Sequence, residues 1–328
     1  MSESSSLVFS DPEEYREKFR SAEVNIVVTA AGRFQANLTR ANLHHLEIQR
    51  GWISLPRIAR SGHTKDRRSI GFLIGDRQSS SIVNRAEAGP GRIAFYAPDT
   101  EIYQRTSTEC CWGSLSLPAN AFDAAARELV GHDLPTPVQM QLLRPPPHLM
   151  SRLLHLHDAV LHLATTVPDV LVHPEVAKAL EQELVRSMLL CLTYEGVEAR
   201  GGIAGFQQRV PIMQRFEQAI SERPNEPLYV AEICAAIGVQ ERTLRNHCLY
   251  HLGMSPHRYL WLRRMNQAKR ALTLADSATT TVTTIAYDHG FWELGRFSGA
   301  YRRLFHEPPL ATLRRPPDRR AVDLASNL

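Results

Sequence analysis

Long apolar runs are missing from this 328-residue chain: no stretch approaches the roughly 18 uninterrupted apolar residues a membrane span requires. The opening Met1-Ser2-Glu3-Ser4-Ser5-Ser6 lacks the basic start and apolar run of a signal peptide, so a soluble, cytoplasmic protein is expected. Cysteine is scarce. The five residues (Cys110, Cys111, Cys191, Cys234, Cys248) are odd in number and show no CxxC spacing, which argues against a disulfide framework or a zinc knuckle and for reduced, mostly buried thiols. Lysine is nearly absent: only Lys18, Lys65, Lys178 and Lys269 stand among 38 basic residues, the rest being arginine. With 43% apolar and 22% charged residues, neither wholesale disorder nor a collagen-like or coiled-coil rod is indicated. At about 150 residues per domain the length suggests two domains.

Charge is unevenly divided. Residues 1–209 carry 22 basic against 23 acidic residues, a net −1, whereas residues 210–328 carry 16 against 11, a net +5. Guanidinium forks bind phosphate and guanine edges bidentately, so the arginine-rich last third is a candidate nucleic-acid surface. An excess this modest is equally that of a solvated basic face.

Between Val24 and Leu117, short β-branched or alternating runs (Asn25–Thr29, Ser69–Ile74, Trp112–Leu117) are separated by turn residues such as Ala88-Gly89-Pro90-Gly91-Arg92. This texture predicts an antiparallel β-barrel or sandwich of about 100 residues. Ahead of it, Asp11 and Pro12 read as the cap and first residue of a helix. After Pro147 the period changes: Leu149, Leu153, Leu156, Val160 and Leu163 form one helical stripe, and Val176, Leu180, Leu184, Met188 and Leu192 a second, from Pro174 to about Tyr194. These helices could pack on the β-domain or form a dimer interface. Three glycines within residues 200–205 mark a flexible linker. The expected organisation is a β-rich domain over 1–144, a helical connector over 145–199, a linker over 200–210, an all-α domain over 211–316 and a tail over 317–328. The fold class is α+β.

Within 211–316, two short helices joined by a glycine-containing turn recur twice, the pattern of a helix-turn-helix whose second helix can enter the major groove. The first runs from Val230–Ile237 through Gly238-Val239-Gln240 into the helix bearing Leu244, with Ile233, Ala236, Val239 and Leu244 as its expected core. Gln240, Glu241, Arg242, Arg245 and Asn246 lie at its cap and outer face. The second turns through His289-Gly290-Phe291 into a helix with Phe297, Tyr301 and Leu304 inward. Glu293, Leu294, Gly295, Arg296, Ser298, Gly299 and Arg302 then lie outside or near the backbone. Pro256 opens a helix to Leu274, with Tyr259, Leu262, Met265, Ala268 or the stem of Lys269, and Leu272 as its apolar face. It is about 27 Å long, against about 34 Å between successive major grooves on one side of a duplex.

The text Val239–Leu244, Gly253-Met254-Ser255-Pro256, Tyr259-Leu260, Ile285-Ala286, Gly290-Phe291 and Phe297-Ser298, closing with Phe305, Pro309 and Leu313-Arg314, resembles the AraC-type transcriptional regulators. The resemblance covers about residues 211–316. It implies a DNA-binding domain of two helix-turn-helix motifs joined by a long helix, double-stranded promoter DNA as partner, RNA polymerase as a further candidate partner, and a homodimer. The N-terminal two thirds are similar in position and texture to that family's effector-sensing, often cupin-like region. Three departures stand out: Gln240 occupies the usual serine cap of the first recognition helix, Cys248 a usual phenylalanine and His306 a usual glycine. At the positions resembling the second helix's base-reading residues stand Leu294, Gly295 and Gly299, none able to hydrogen-bond a base. Sequence reading therefore falls to Arg242, Arg245 and Asn246, with Arg296 and Arg302 on phosphates or one base.

Other features carry less. His155, Asp158 and His162 share one helix face that suits zinc or plain solvation, with no fourth ligand evident. His44-His45-Leu46-Glu47 misses the spacing of metal-dependent cupins, and no cofactor is indicated. Cys110-Cys111 reads as buried rather than redox-sensing. Tyr96, Tyr103 and Trp112, with Phe95, are candidates to line the barrel and touch an effector; His63, Arg67 and Arg68 sit in a polar stretch that fits a loop as easily as a site. The expected function is a non-enzymatic, effector-modulated regulator. Its rivals are a constitutive dimeric DNA binder and a cupin-type enzyme tethered to DNA.

Overall fold

Where alternate side chains along a strand are apolar, one face must be covered, and two sheets facing each other cover both. The computed structural model describes residues 4–19, 24–75, 78–194, 198–201, 206–223 and 226–315. It divides into two units, residues 1–26 with 34–208 and residues 27–33 with 209–328.

In the first unit the elements are β1 (Ser4–Phe9), α1 (Pro12–Glu17), β2 (Val24–Val28), β3 (Ala36–Asn42), β4 (Glu47–Ile53), β5 (Arg57–His63), β6 (Arg67–Leu73), β7 (Ser81–Val83), β8 (Ala86–Ala88), β9 (Ile93–Phe95), β10 (Thr100–Arg105), β11 (Cys110–Pro118), α2 (Ala119–Val130), β12 (Gln141–Arg144), α3 (Pro147–Thr166), α4 (Asp169–Val172), α5 (Pro174–Thr193) and β13 (Glu198–Gly201). One sheet has the order β1-β3-β4-β11-β6-β9-β12-β13 and the other β2-β5-β10-β7-β8. The registered pairs in both are antiparallel, as the strand texture implied. Asp11 caps α1 by accepting from the Glu13 amide at 2.7 Å, with Pro12 following it.

The helices after Pro147 belong to this unit. Leu153 and Val160 of α3 and Leu184 and Met188 of α5 join one core with Ile48, Ile70 and Leu115 of the large sheet. Packing on the β-domain, one of the two roles left open by periodicity, is observed. The α3 stripe is also rotated relative to the expected leucines: Met150, Leu153, His157, Val160, Leu161 and Ala164 are buried, and the imidazole of His157 takes a place in the stripe. Its Nε2–H donates to the Gln49 carbonyl at 2.9 Å, satisfying a polar group on an apolar face. The expected linker is shorter than 200–210. Arg200 and Gly201 end β13, which pairs with β12 and so satisfies its backbone groups in the sheet. The glycines at 202 and 205 lie outside the described residues, as does the 317–328 tail.

The second unit holds α6 (Phe206–Ser221), α7 (Val230–Ile237), α8 (Glu241–His251), α9 (Pro256–Leu274), α10 (Val282–Asp288), α11 (Leu294–Phe305) and α12 (Pro309–Leu313). Gly238 and Gly290 take left-handed conformations, φ 67° and 72°, and turn the chain between α7 and α8 and between α10 and α11. A side chain at Gly290 would also meet Pro227 Cβ at 2.4 Å. Ser255 caps α9 by accepting from the Arg258 amide. The α9 face forecast from the sequence is buried throughout: Tyr259, Leu262, Met265, Ala268 and Leu272. At 19 residues α9 is about 28 Å long, and α8, α10 and α12 pack against it.

Candidate nucleic-acid interface and effector cavity

The first helix-turn-helix is built from the inside. Val230, Ile233, Cys234 and Ile237 form the buried stripe of α7, and Leu244 and Cys248 that of α8. Ala236, expected in this core, is exposed, because the stripe at i, i+3, i+4 and i+7 from Val230 leaves position 236 on the far side. Val239 is half-buried. With that stripe turned inward, Gln240, Glu241, Arg242, Arg245 and Asn246 are all exposed. Gln240 provides no side-chain cap to α8. Glu241 lies 3.2 Å from His257 Nε2. Arg242, Arg245 and Asn246 make no ion pair or side-chain hydrogen bond among the described residues, so their donors face solvent.

In the second motif Ile285 and Ala286 of α10 meet Phe297, Tyr301 and Leu304 of α11, all buried as the pattern required. Glu293, Gly295, Arg296 and Arg302 are exposed, and Leu294, Ser298 and Gly299 half-exposed. Unlike Arg245, Arg296 is engaged: its Nη1 and Nε each meet a Glu293 carboxylate oxygen at 2.9 Å, a bidentate pair. Arg302 has no ion-pair partner among the described residues. A side chain added at Gly295 or Gly299 would meet nothing within 4 Å, so internal packing does not require glycine at either. The helix ends at His306, held in a left-handed conformation at φ 59°.

The first unit contains a cavity of about 140 Å³. Tyr96 and Trp112 line it as expected. Tyr103 does not: on β10 its neighbour Gln104 points to the cavity, so Tyr103 points the opposite way and is buried elsewhere. Phe95 sits in the large-sheet core, 5.9 Å from Phe122. The polar wall was not anticipated. Arg57, Ala59, Ser61 and His63, at alternate positions of β5, all line the cavity. The signal was the period of two, obscured because an inward face bearing Arg, Ser and His reads as an outward one. His63 therefore ends a strand, and Arg67 and Arg68 begin another. The His63 ring stacks on Tyr96 at 4.1 Å, and burial lowers its pKa to about 4. Burial likewise pushes the Tyr96 phenol up to about 12. Gly71 lets Tyr96 close over β6, since a Cβ there would lie 2.3 Å from the Tyr96 hydroxyl.

His155, Asp158 and His162 are exposed, Asp158 pairs with Arg50, and no group of three or more metal-ligating side chains occurs among the described residues. Cys110, Cys191, Cys234 and Cys248 are buried and Cys111 half-buried, all as free thiols. Burial raises the pKa of Cys111 and pushes Cys191 up to about 12, which disfavours reactive thiolates. No helix among the described residues is long and apolar enough to cross a membrane.

A family model described as an AraC-binding-like domain matches residues 20–190, just over half of the chain, and a helix-turn-helix domain model matches residues 233–315. The chain belongs to the AraC family of transcriptional regulators. It is 29% identical over 167 residues to the probable thc operon regulatory protein of Rhodococcus erythropolis, a match spanning 51% of this chain and 49% of that one. It is 25% identical over 228 residues to the XylDLEGF operon transcriptional activator 1 of Pseudomonas putida, spanning 69% and 67%. The chain thus spans about half the length of the first relative and about two thirds of the second. Among solved structures, the AraC-like transcriptional activator CuxR is 16% identical with a TM-score of 0.43, covering 81% of this chain and 96% of that one.

Proposed function

We propose that this protein is a cytoplasmic, non-enzymatic regulator that binds promoter DNA through residues 211–316 and responds to a small molecule held in the cavity of its first unit. The observation that carries the DNA reading is the outer face of α8, where Arg242, Arg245 and Asn246 stand exposed and unpaired above a buried motif core. Arginine can fork onto guanine and asparagine onto adenine, so these three read sequence. On α11, Arg302 and Arg296 hold phosphates and set register. The open cavity supports an effector-responsive regulator over a constitutive one. A homodimer on a two-part operator completes the reading, and similarity to a transcriptional activator of Pseudomonas putida supports action through RNA polymerase.

Nuclease protection on DNA upstream of the protein's own and neighbouring genes tests this. A protected region of about two helical turns per subunit is expected, with affinity falling steeply as salt rises because phosphate contacts release counterions. Binding that is absent, or that does not change with salt, contradicts it.

A further inference from the structure

Aromatic surface gathered in water marks an interaction site more often than a lone exposed ring does. In the second unit three such side chains stand exposed together: Tyr229 ahead of α7, Tyr287 in α10 and Trp292 in the turn before α11. Trp292 is 63% exposed. Its ring is nonetheless braced from two directions. It stacks on Tyr287 with centroids 5.6 Å apart, and its Nε1–H donates to the Tyr229 hydroxyl at 3.4 Å. Tyr229 is fixed in turn: its backbone amide donates to the Glu232 carboxylate at 3.3 Å, and the Arg264 guanidinium of α9 lies 5.9 Å over its ring and 5.4 Å over that of Phe291. Phe291 packs on the buried Phe297 at 4.9 Å, so the inward side of the turn is filled without the indole.

We propose that Trp292 reads the methyl group of a thymine in the major groove, an assignment that rests on the DNA reading above. The N-terminal residues of a recognition helix are those that meet base edges, and Trp292 stands two positions ahead of Leu294, the first residue of α11. The one polar atom of its indole is engaged by Tyr229, so what it turns outward is carbon surface. Half-exposed Leu294 extends that surface, and Glu293 between them is neutralised by Arg296. Thymine is the base that presents an apolar group in the major groove, its C5-methyl, and apolar contact with that methyl distinguishes it there. Gly295 and Gly299 leave the flank of α11 open, which lets the helix seat close enough to bring the indole to the base edges. A second motif without a hydrogen-bonding base reader thus reads by apolar contact, and the bracing of the ring cuts the side-chain entropy lost on binding.

The test selects binding sites from a randomised duplex pool with the full-length protein and its Trp292→Ala variant, then replaces each thymine of the selected site by deoxyuridine, which lacks only the C5-methyl. Trp292→Ala should lose the preference for thymine at one or two positions and keep the positions read by α8. At those thymines deoxyuridine should weaken the wild-type protein about 4-fold, the worth of one buried methyl group, and leave Trp292→Ala unaffected. In the same place 5-methylcytosine should bind the wild type better than cytosine by a similar factor, since it carries the methyl on a different hydrogen-bonding pattern. Trp292→Phe keeps an apolar ring and should retain the thymine preference; Trp292→Gln, which replaces the ring by an amide, tests the same point should Trp292→Ala not fold. A ring that only supports the fold would weaken all sequences alike and leave the deoxyuridine effect in place. That result, a selected site in which no thymine responds to loss of its methyl, or a Trp292→Ala variant with wild-type affinity and site overturns the methyl reading and leaves the DNA reading standing. Binding to no sequence in the pool overturns both.

Discussion

His157 and His63 are imidazoles that burial keeps neutral, each lowered to about 4. An unfolded chain protonates both below about pH 6.5, whereas the native chain resists until near 4. Their contribution to stability is therefore complete above the unfolded value and is lost as pH falls toward the folded one, about 2 kcal/mol for each group by pH 5. The Tm should drop steeply between neutral pH and about pH 5. A His157→Gln variant, which can still donate to the Gln49 carbonyl, should show a flatter profile in the same scan. His306 offers a second test: glycine relieves the left-handed strain at φ 59°, so His306→Gly should gain about 0.5–1 kcal/mol in denaturant unfolding. Single residues are also where the sequence was hardest to read. His157 and Arg57 drew no reading from the sequence, because a side chain's polarity does not reveal which partner awaits it inside.

Among the elements, α11 is built against its own stability. Gly295, in the first turn, and Gly299, in the interior, lie one turn apart with open space where side chains would be, and glycine in a helix interior costs about 1 kcal/mol relative to alanine. Replacing both with alanine should stabilise the protein by about 1–2 kcal/mol in chemical denaturation. The same change should weaken DNA binding, measured by electrophoretic shift, because the helix backbone could no longer approach the phosphates as closely. Unchanged affinity would remove α11 from the interface. The helices were legible because an apolar period of 3.6 identifies both the element and its buried face, as in α9. Tyr103 was misplaced for the complementary reason: with a period of two, one uncertain position on β10 inverts the assignment of every side chain. Ala236 failed because a small residue reads equally well on either side of a short helix.

For the whole molecule, a regulator needs its two binding events to be coupled, and coupling is reciprocal: whatever factor the effector imposes on operator affinity, the operator imposes on effector affinity. Titrating ligand with and without saturating operator DNA should give equal factors, typically about 5- to 150-fold. Identical ligand affinities in the two titrations would mean a DNA binder whose cavity serves another purpose. The most direct measurement is selection of binding sites from a randomised duplex pool by the full-length protein and its Arg245→Ala and Arg296→Ala variants. With α8 reading bases and α11 gripping the backbone, Arg245→Ala should lose preference at one or two positions of the selected site, about 1–3 kcal/mol of discrimination. Arg296→Ala should keep the same site while binding every sequence more weakly. The reverse pattern, or a site unchanged by Arg245→Ala, would contradict this division of labour.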